Sequence, residues 1–167
     1  MGINNTVNLT EIVNQFNTSW TSFACMGEGE PLNQFIYGYP HEVDELHNKR
    51  LPLMVCNYPT STSPIPEYEG NYVNTTTQFT IQIYGFTPMG SRGTGSMGMS
   101  INAQWDQMED CFYFWLQSVL NSLGSKIVLG SGSVQISRRD QGSNDQLIKL
   151  EVKFNLNYYR YCFELLQ

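Results

Sequence analysis

The chain has 167 residues and a mass of 19.1 kDa, the size of one domain with enough residues to bury a sizeable core. Charged residues make up 14% of it, and the formal net charge of −6 provides no basic footprint for phosphate groups, which argues against sequence-specific nucleic-acid binding. Asn, Ser, Thr, Gln and Gly replace the missing charge, and the aromatic share of 13% includes 10 tyrosines. Such a surface associates readily with copies of itself, although ordinary compositional drift explains the same numbers equally well.

The cysteines lie far apart in the sequence, at Cys25, Cys56, Cys111 and Cys162, with neither a CxxC pair nor a cysteine–histidine spacing typical of zinc. The amino terminus has no charged segment followed by an apolar one, and no apolar run approaches the roughly 18 residues of a membrane span. The sequence therefore predicts free buried thiols in a reducing cytoplasm, and neither a secreted precursor nor a membrane protein.

Residues 8–23 predict an amphipathic helix, because their apolar side chains recur every three or four positions. Thr6 or Asn8 can cap its first turn, and Glu11 lies close to the positive end of the helix dipole. The apolar face consists of Leu9, Ile12, Val13, Phe16, Trp20 and Phe23.

Short apolar runs predict strands at 34–39 and 51–57, with a capped helical turn at 40–46 between them. Residues 77–86 alternate between apolar and polar side chains and predict a third strand. Because both faces of this strand carry bulky side chains, we expect it to lie in the middle of the sheet.

Residues 58–76 are too rich in Pro, Ser and Thr to predict a packed element. A loop of this length is uncommon inside a compact domain, so the stretch is either an arm that folds against a neighbouring chain or a disordered segment. The embedded Ile65, Tyr68 and Tyr72 favour the arm.

Residues 88–100 form a Gly-rich connector, followed by a second helix that begins at Ser100 or Asn102 and ends at Leu123. Gly124 is placed to close this helix as a C′ glycine. The methionines of the connector indicate a contact surface: Met89, Met97 and Met99.

The carboxyl-terminal part of the chain predicts strands at 126–129 and 133–138, and a hairpin turn at 141–145 that leads into a longer strand at 146–158. In this last strand the even positions are apolar and the odd positions are polar, so one face lies on a core and one in water. A slip of one residue would bury lysines and a glutamate, so the register is tightly specified.

The order of these elements predicts an α+β fold, a mainly antiparallel β-sheet packed on one face by two α-helices. We expect a single domain over residues 1–167, with arms at 58–76 and 88–100.

Residues 93–98 match GxGxxG, and a predicted strand precedes them. The dinucleotide fingerprint also needs its last glycine in the opening turn of a helix and a parallel βαβ unit around it. Here the predicted helix begins later, the following strands lack the βαβ spacing, and no Gly-Lys-Ser/Thr is present. A flexible connector is therefore favoured over a nucleotide site.

The two histidines, His41 and His47, flank acidic residues, but their spacing is not HExxH, and a solvated acidic helical turn is the favoured interpretation. Cys56 could pair with either histidine, yet nothing in the sequence singles it out. Glu109 and Asp110 lie on the polar side of a helix, where charge is expected. The sequence thus predicts no catalytic residue, no cofactor and no metal, and we expect a protein that is not an enzyme.

The element order resembles that of tail-terminator and neck-ring proteins, which are head–tail connectors of tailed bacteriophages. The resemblance is carried by residues 77–85, by the Trp-bearing helix 104–123, and by 133–138 together with 145–158. The polar, uncharged, Tyr-rich composition is also similar to that of virion structural proteins, including those of crAss-like phages.

This resemblance implies a structural protein that forms a ring of about six or twelve copies at the head–tail junction of the virion, assembled in the host cytoplasm. Its expected partners are copies of itself and other neck, portal and tail proteins, while DNA passes through the lumen without sequence-specific binding. The residues expected at partner interfaces are Tyr58, Ile65, Tyr68, Tyr72, Met89, Arg92, Met97 and Met99. A small monomeric binding or adaptor module, and an enzyme of unfamiliar type, are the alternatives.

Overall fold

The computed structural model describes residues 6–25, 33–38, 52–62, 68–69, 72–86, 95–140 and 147–161, with the backbone alone at 62, 68–69, 86, 95–101, 140, 147 and 161. The elements in chain order are α1 (Leu9–Thr21), β1 (Gln34–Tyr37), β2 (Leu53–Cys56), β3 (Thr60–Thr62), β4 (Tyr68–Glu69), β5 (Tyr72–Phe86), α2 (Gly95–Leu123), β6 (Ile127–Leu129), β7 (Gln135–Asp140) and β8 (Leu147–Tyr161). A short 3-10 helix, Gly124–Lys126, joins α2 to β6. The fold is α+β, as the sequence predicts.

The sheet has the central strand order β1-β2-β5-β8-β6, while β3 and β4 also pair with β5, and β7 also pairs with β8. β5 and β8 have 15 residues each and are antiparallel neighbours over their whole length, with Phe79 opposite Phe154. Among the described strands, β1 and β2 are the exception to antiparallel pairing, and an isolated bridge between Thr6 and Tyr159 is also parallel. β5 lies in the middle of the sheet, as its two bulky faces predict.

The alternation along β8 sets the two faces of the sheet. Its buried members lie against the helices, and they are Ile148, Leu150, Val152, Phe154, Leu156 and Tyr158. The intervening polar positions lie on the opposite side, which we call the second sheet face. Part of this face is also buried, in a small cluster of Leu53, Val55 and Tyr84 against Ile36.

The helices α1 and α2 cover the first sheet face and meet around a group of aromatic rings. The Phe16 ring lies edge-on to Phe79 and to Trp115, with 4.9 Å between centroids in each pair. The indole Nε1 of Trp115 donates to the Phe16 carbonyl oxygen at 3.0 Å, which locks one helix to the other. At the start of α1, Asn8 Oδ1 accepts from the Glu11 backbone N–H at 2.8 Å, so Asn8 is the cap.

Cys25 and Cys111 form a disulfide, so the prediction of free thiols is wrong for this pair. The two residues are 86 positions apart, and sequence spacing carries no information on which cysteines meet. The fold brings them together because α1 packs along α2 and the chain after α1 is held in place, with Asn33 Oδ1 accepting from the Cys25 backbone N–H at 2.8 Å. Cys56 is a free, buried thiol, as predicted. Cys162 lies outside the described residues.

In the stretch 58–76, residues 60–62, 68–69 and 72–76 pair as strands, so the prediction that the stretch holds no packed element is wrong for them. β3 and β4 both pair with β5, and β5 itself begins at Tyr72. Polar side chains hold these strands, since the hydroxyls of Ser61 and Thr77 lie 2.7 Å apart and Thr76 Oγ1 donates to Asn157 Oδ1 at 2.6 Å. A prediction based on hydrophobic alternation misses strands whose cross-strand contacts are hydroxyl and amide hydrogen bonds.

The connector 88–100 is also shorter than predicted, because α2 begins at Gly95. Each glycine costs a helix about 1 kcal/mol relative to alanine, so the sequence favours a loop there. Extending a helix that already exists adds one hydrogen bond per residue fixed, which allows the long α2 to continue into the glycines. At its other end Gly124 has φ +58°, the left-handed conformation expected of the glycine that closes the helix.

Candidate interaction surfaces

The positions of the described residues give no support to the catalytic and metal hypotheses. Within it, no group of three or more His, Cys, Asp or Glu side chains lies close enough to hold a metal ion. His41 and His47 lie outside the described residues. A search of the described helices finds none that is both long enough and apolar enough to cross a membrane.

Cys56 is poorly suited to nucleophilic chemistry. It lies in β2 and is fully buried in the core. Desolvation by burial raises the pKa of its thiol to about 12, so the thiol keeps its proton at neutral pH. A buried, protonated thiol is a packing residue, whichever histidine is considered as its partner.

The GxGxxG segment does open a helix, since α2 begins at Gly95 and the expectation of a later start is wrong. The surrounding strands nevertheless do not form the unit that binds a dinucleotide. All four described strands that pair with β5, namely β2, β3, β4 and β8, run antiparallel to it, whereas the fingerprint needs a parallel strand beside the first. The segment therefore has no dinucleotide-binding context in this sheet.

Arg138 of β7 reaches across to α2 and binds two carboxylates there. Its Nε donates to Glu109 Oε1 at 2.9 Å, and its Nη2 donates to Asp106 Oδ1. These hydrogen bonds, first the one to Glu109 and then the one to Asp106, raise the pKa of the Arg138 guanidinium. This ion-pair cluster holds the outer strand against the helix layer and leaves the neighbouring Asp110 exposed, with no ion pair to a described residue.

Two of the predicted interface residues, Tyr68 and Tyr72, are brought together at one end of the β5–β8 ribbon. The register places Val73 opposite Tyr68 and Tyr161 opposite Tyr72, with Tyr159 two positions before Tyr161. We call this region the tyrosine end, defined by Tyr68, Tyr72, Tyr158, Tyr159 and Tyr161.

Tyr158 anchors the tyrosine end in the core. Its ring is buried, and its hydroxyl lies 2.8 Å from the hydroxyl of Thr77. The next residue, Tyr159, is 48% exposed, and Arg160 after it is exposed as well. The ribbon thus passes from a packed tyrosine to a solvent-facing one within a single step along the strand.

The other predicted interface residues are not gathered at one place. Tyr58 is half-exposed, with its ring 4.9 Å from that of Tyr37. Met97 and Met99 lie in the first turns of α2, where the backbone alone is described. Ile65, Met89 and Arg92 lie outside the described residues.

Sequence analysis missed an aromatic surface on the outer side of α2. Tyr113 and Phe114 are 50% and 59% exposed, and the Phe23 ring lies 4.8 Å from that of Phe114. Asp110 precedes these two residues by three and four positions, the spacing of neighbouring side chains on a helix surface. The helix patch is Phe23, Asp110, Tyr113, Phe114 and the exposed Gln117. Its signal in the sequence is that positions 113 and 114 fall off the apolar stripe of the helix.

A third surface lies on the second sheet face. Val128 of β6 is 60% exposed and lies opposite Asn157, next to the position of Tyr159. Lys153 is exposed farther along the same face of β8. The sheet patch is Val128, Lys153, Asn155, Asn157 and Tyr159.

No protein-family model matches the chain, and no curated protein matches it. The function is therefore argued from these surfaces and from the sequence.

Proposed function

We propose that the chain is a structural virion protein that forms an oligomeric ring around the DNA channel at the head–tail junction of a tailed bacteriophage. The proposal starts from the resemblance in element order and composition described above. It takes the other neck, portal and tail proteins as the neighbours of the ring.

The tyrosine end is the observation that carries the proposal. Tyrosines supply a large contact area, and each loses little conformational freedom on binding, which is why protein interfaces are enriched in them. Five tyrosine positions lie close together where β4 pairs with the start of β5 and β5 pairs with the end of β8, and among their described side chains Tyr159 is exposed while Tyr158 is buried. An exposed tyrosine at this place suits a ring subunit, which needs contact surfaces for its neighbours.

The stretches 58–76 and 88–100 contribute to the same proposal as contacts with neighbouring copies. In 58–76 the contact function is assigned to the tyrosine end and to Ile65, since β3 and β4 pair into the subunit's own sheet. In 88–100 it is assigned to Met89, Arg92, Met97 and Met99.

The Cys25–Cys111 disulfide is compatible with a virion protein. Disulfides persist in oxidising surroundings and are rare in a reducing cytoplasm. A virion is assembled inside the cell and works outside it, so its proteins meet both conditions.

The test is the oligomeric mass of the purified chain, measured by native mass spectrometry over a range of concentrations. A ring protein is expected to give a closed oligomer of about six or twelve copies and ring-shaped particles with a central opening in negative-stain images. A chain that stays at its monomer mass of 19.1 kDa at high concentration would contradict the proposal and favour a monomeric binding module. An oligomer without a central opening would contradict it as well.

A further inference from the structure

The two layers of the molecule carry opposite charge. The helix layer has only acidic charges, with Glu11 on α1 and three more acids on α2, since neither helix contains a lysine or arginine. The acids of α2 are Asp106, Glu109 and Asp110. Arg138 neutralises part of this charge by binding the first two. Asp110, within the helix patch, keeps its charge exposed.

The second sheet face has the opposite sign. Its described charged side chains on β7 and β8 are three bases and one acid, a local balance of +2: Arg139, Lys149, Lys153 and Glu151. The single acid is Glu151, and its Oε2 lies 4.0 Å from Arg139 Nε and 4.0 Å from Lys149 Nζ. Lys153, within the sheet patch, has no ion pair to a described residue.

Exposed hydrophobic side chains follow the same division. Four of the five large hydrophobic residues exposed in the described part of the chain do so, two beside Asp110 and two on the face of Lys153, while the fifth, Tyr58, belongs to neither patch. The first two are Tyr113 and Phe114, and the second two are Val128 and Tyr159. Each patch thus combines apolar area with one charge that has no ion pair to a described residue, and the two charges are of opposite sign.

We propose that the helix patch of one copy docks on the sheet patch of the next copy, with Asp110 facing Lys153. The charges decide which patch each patch binds. Two helix patches in contact would bring acid against acid, and two sheet patches would bring base against base. Unlike patches on opposite layers form a head-to-tail contact, which closes into a ring when the rotation between neighbours allows it. This inference rests on the proposed function and names the surfaces that would form the ring.

The experiment is a charge swap followed by native mass spectrometry at fixed ionic strength. Asp110→Lys and Lys153→Glu, each alone, should raise the concentration for half-assembly about tenfold or more, because each places like charges in the contact. The double variant Asp110→Lys/Lys153→Glu should recover most of the assembly. Ser122→Lys on the same helix and Ser131→Glu in the exposed turn before β7 are controls outside both patches and should assemble as the wild type does.

Each result decides the matter. Single variants that assemble like the wild type, or a double variant no better than the singles, would overturn the docking of these two patches and leave the ring itself intact. A wild-type chain that stays monomeric would overturn both the docking and the ring. Since both substituted side chains are exposed, the variants are expected to fold, which circular dichroism checks.

Discussion

The Cys25–Cys111 disulfide ties the segment after α1 to the middle of α2, across a sequence separation of 86 residues. A link that closes a loop of this length restricts the unfolded chain strongly, and its loss typically costs about 2–5 kcal/mol. We expect reductant to lower the melting temperature of the wild type, measured by differential scanning fluorimetry. The double variant Cys25→Ala/Cys111→Ala should melt lower and show no further change with reductant. Equal melting temperatures with and without reductant in the wild type would contradict a stabilising disulfide.

Cys56 should behave in the opposite way to a reactive thiol. Its burial holds the pKa near 12 in the folded chain against an ordinary value of 9.0, so the folded state keeps a proton that the unfolded state loses. The contribution of the Cys56 thiol to the free energy of unfolding is therefore fully present below pH 9, and it is lost as the pH rises from there towards 12.

Labelling measures the same property directly. In a Cys162→Ser background, in which Cys56 is the remaining free thiol, iodoacetamide at pH 8 should label the folded chain slowly and the urea-unfolded chain rapidly, as read by mass spectrometry. Equal labelling rates in both states would show that the thiol is accessible.

At the scale of single residues, local chemistry is predictable from the sequence and long-range encounters are not. The Gly124 terminus is as predicted, and the cap of α1 is Asn8, one of the two residues that the sequence allows there; both follow from the few residues around them. The disulfide and the exposed pair Tyr113–Phe114 depend on where α1 lies along α2. No local pattern encodes that placement.

Among the strands, β8 places the most side chains in the core, and Phe154 lies at the centre of its buried face. Its ring stacks on Phe79 at 5.6 Å and lies close to Phe16, Phe112 and Trp115. We expect Phe154→Ala to lower the free energy of unfolding by about 3–5 kcal/mol, because it leaves a cavity among rings that cannot collapse into it. The matched change Gln78→Ala, at an exposed position of β5, should stay within about 0.5 kcal/mol. Urea titrations of the two variants make the comparison, and similar losses would contradict this account of the core.

Elements with strong hydrophobic periodicity were predictable, and those held by other interactions were not. α1 and β8 lie close to their predicted positions because a buried face enforces the pattern. The first residues of β5 are polar and pair through side-chain hydrogen bonds, so hydrophobic alternation gave no sign of them. The parallel pairing of β1 with β2 was also not predicted, because it depends on the route of the chain between the two strands.

At the scale of the whole molecule, the division of charge between the two layers is the feature that links the sequence to the proposed assembly. Net charge is visible in the sequence, but its separation appears only when α2 covers one sheet face and leaves Arg139, Lys149 and Lys153 on the other, while Arg138 binds the acids of α2. The exposed patches could not be predicted for the same reason. The proposed contact between the helix patch of one copy and the sheet patch of the next should weaken as the salt concentration rises. Exposed charges are screened within about 10 Å at 0.1 M ionic strength.

The same electrostatics gives the last prediction, on DNA. A protein of net charge −6 releases few counterions from a duplex, so it should hold DNA weakly and with little dependence on sequence. We expect no retained complex in an electrophoretic mobility-shift assay at 50 mM salt, with either the monomer or the assembled ring. A channel that lets DNA pass must not bind it tightly, so weak binding suits a ring through which the genome moves. Tight, salt-sensitive retention of duplex DNA would instead indicate that a basic surface, such as the second sheet face, binds phosphates, and it would contradict a passive channel.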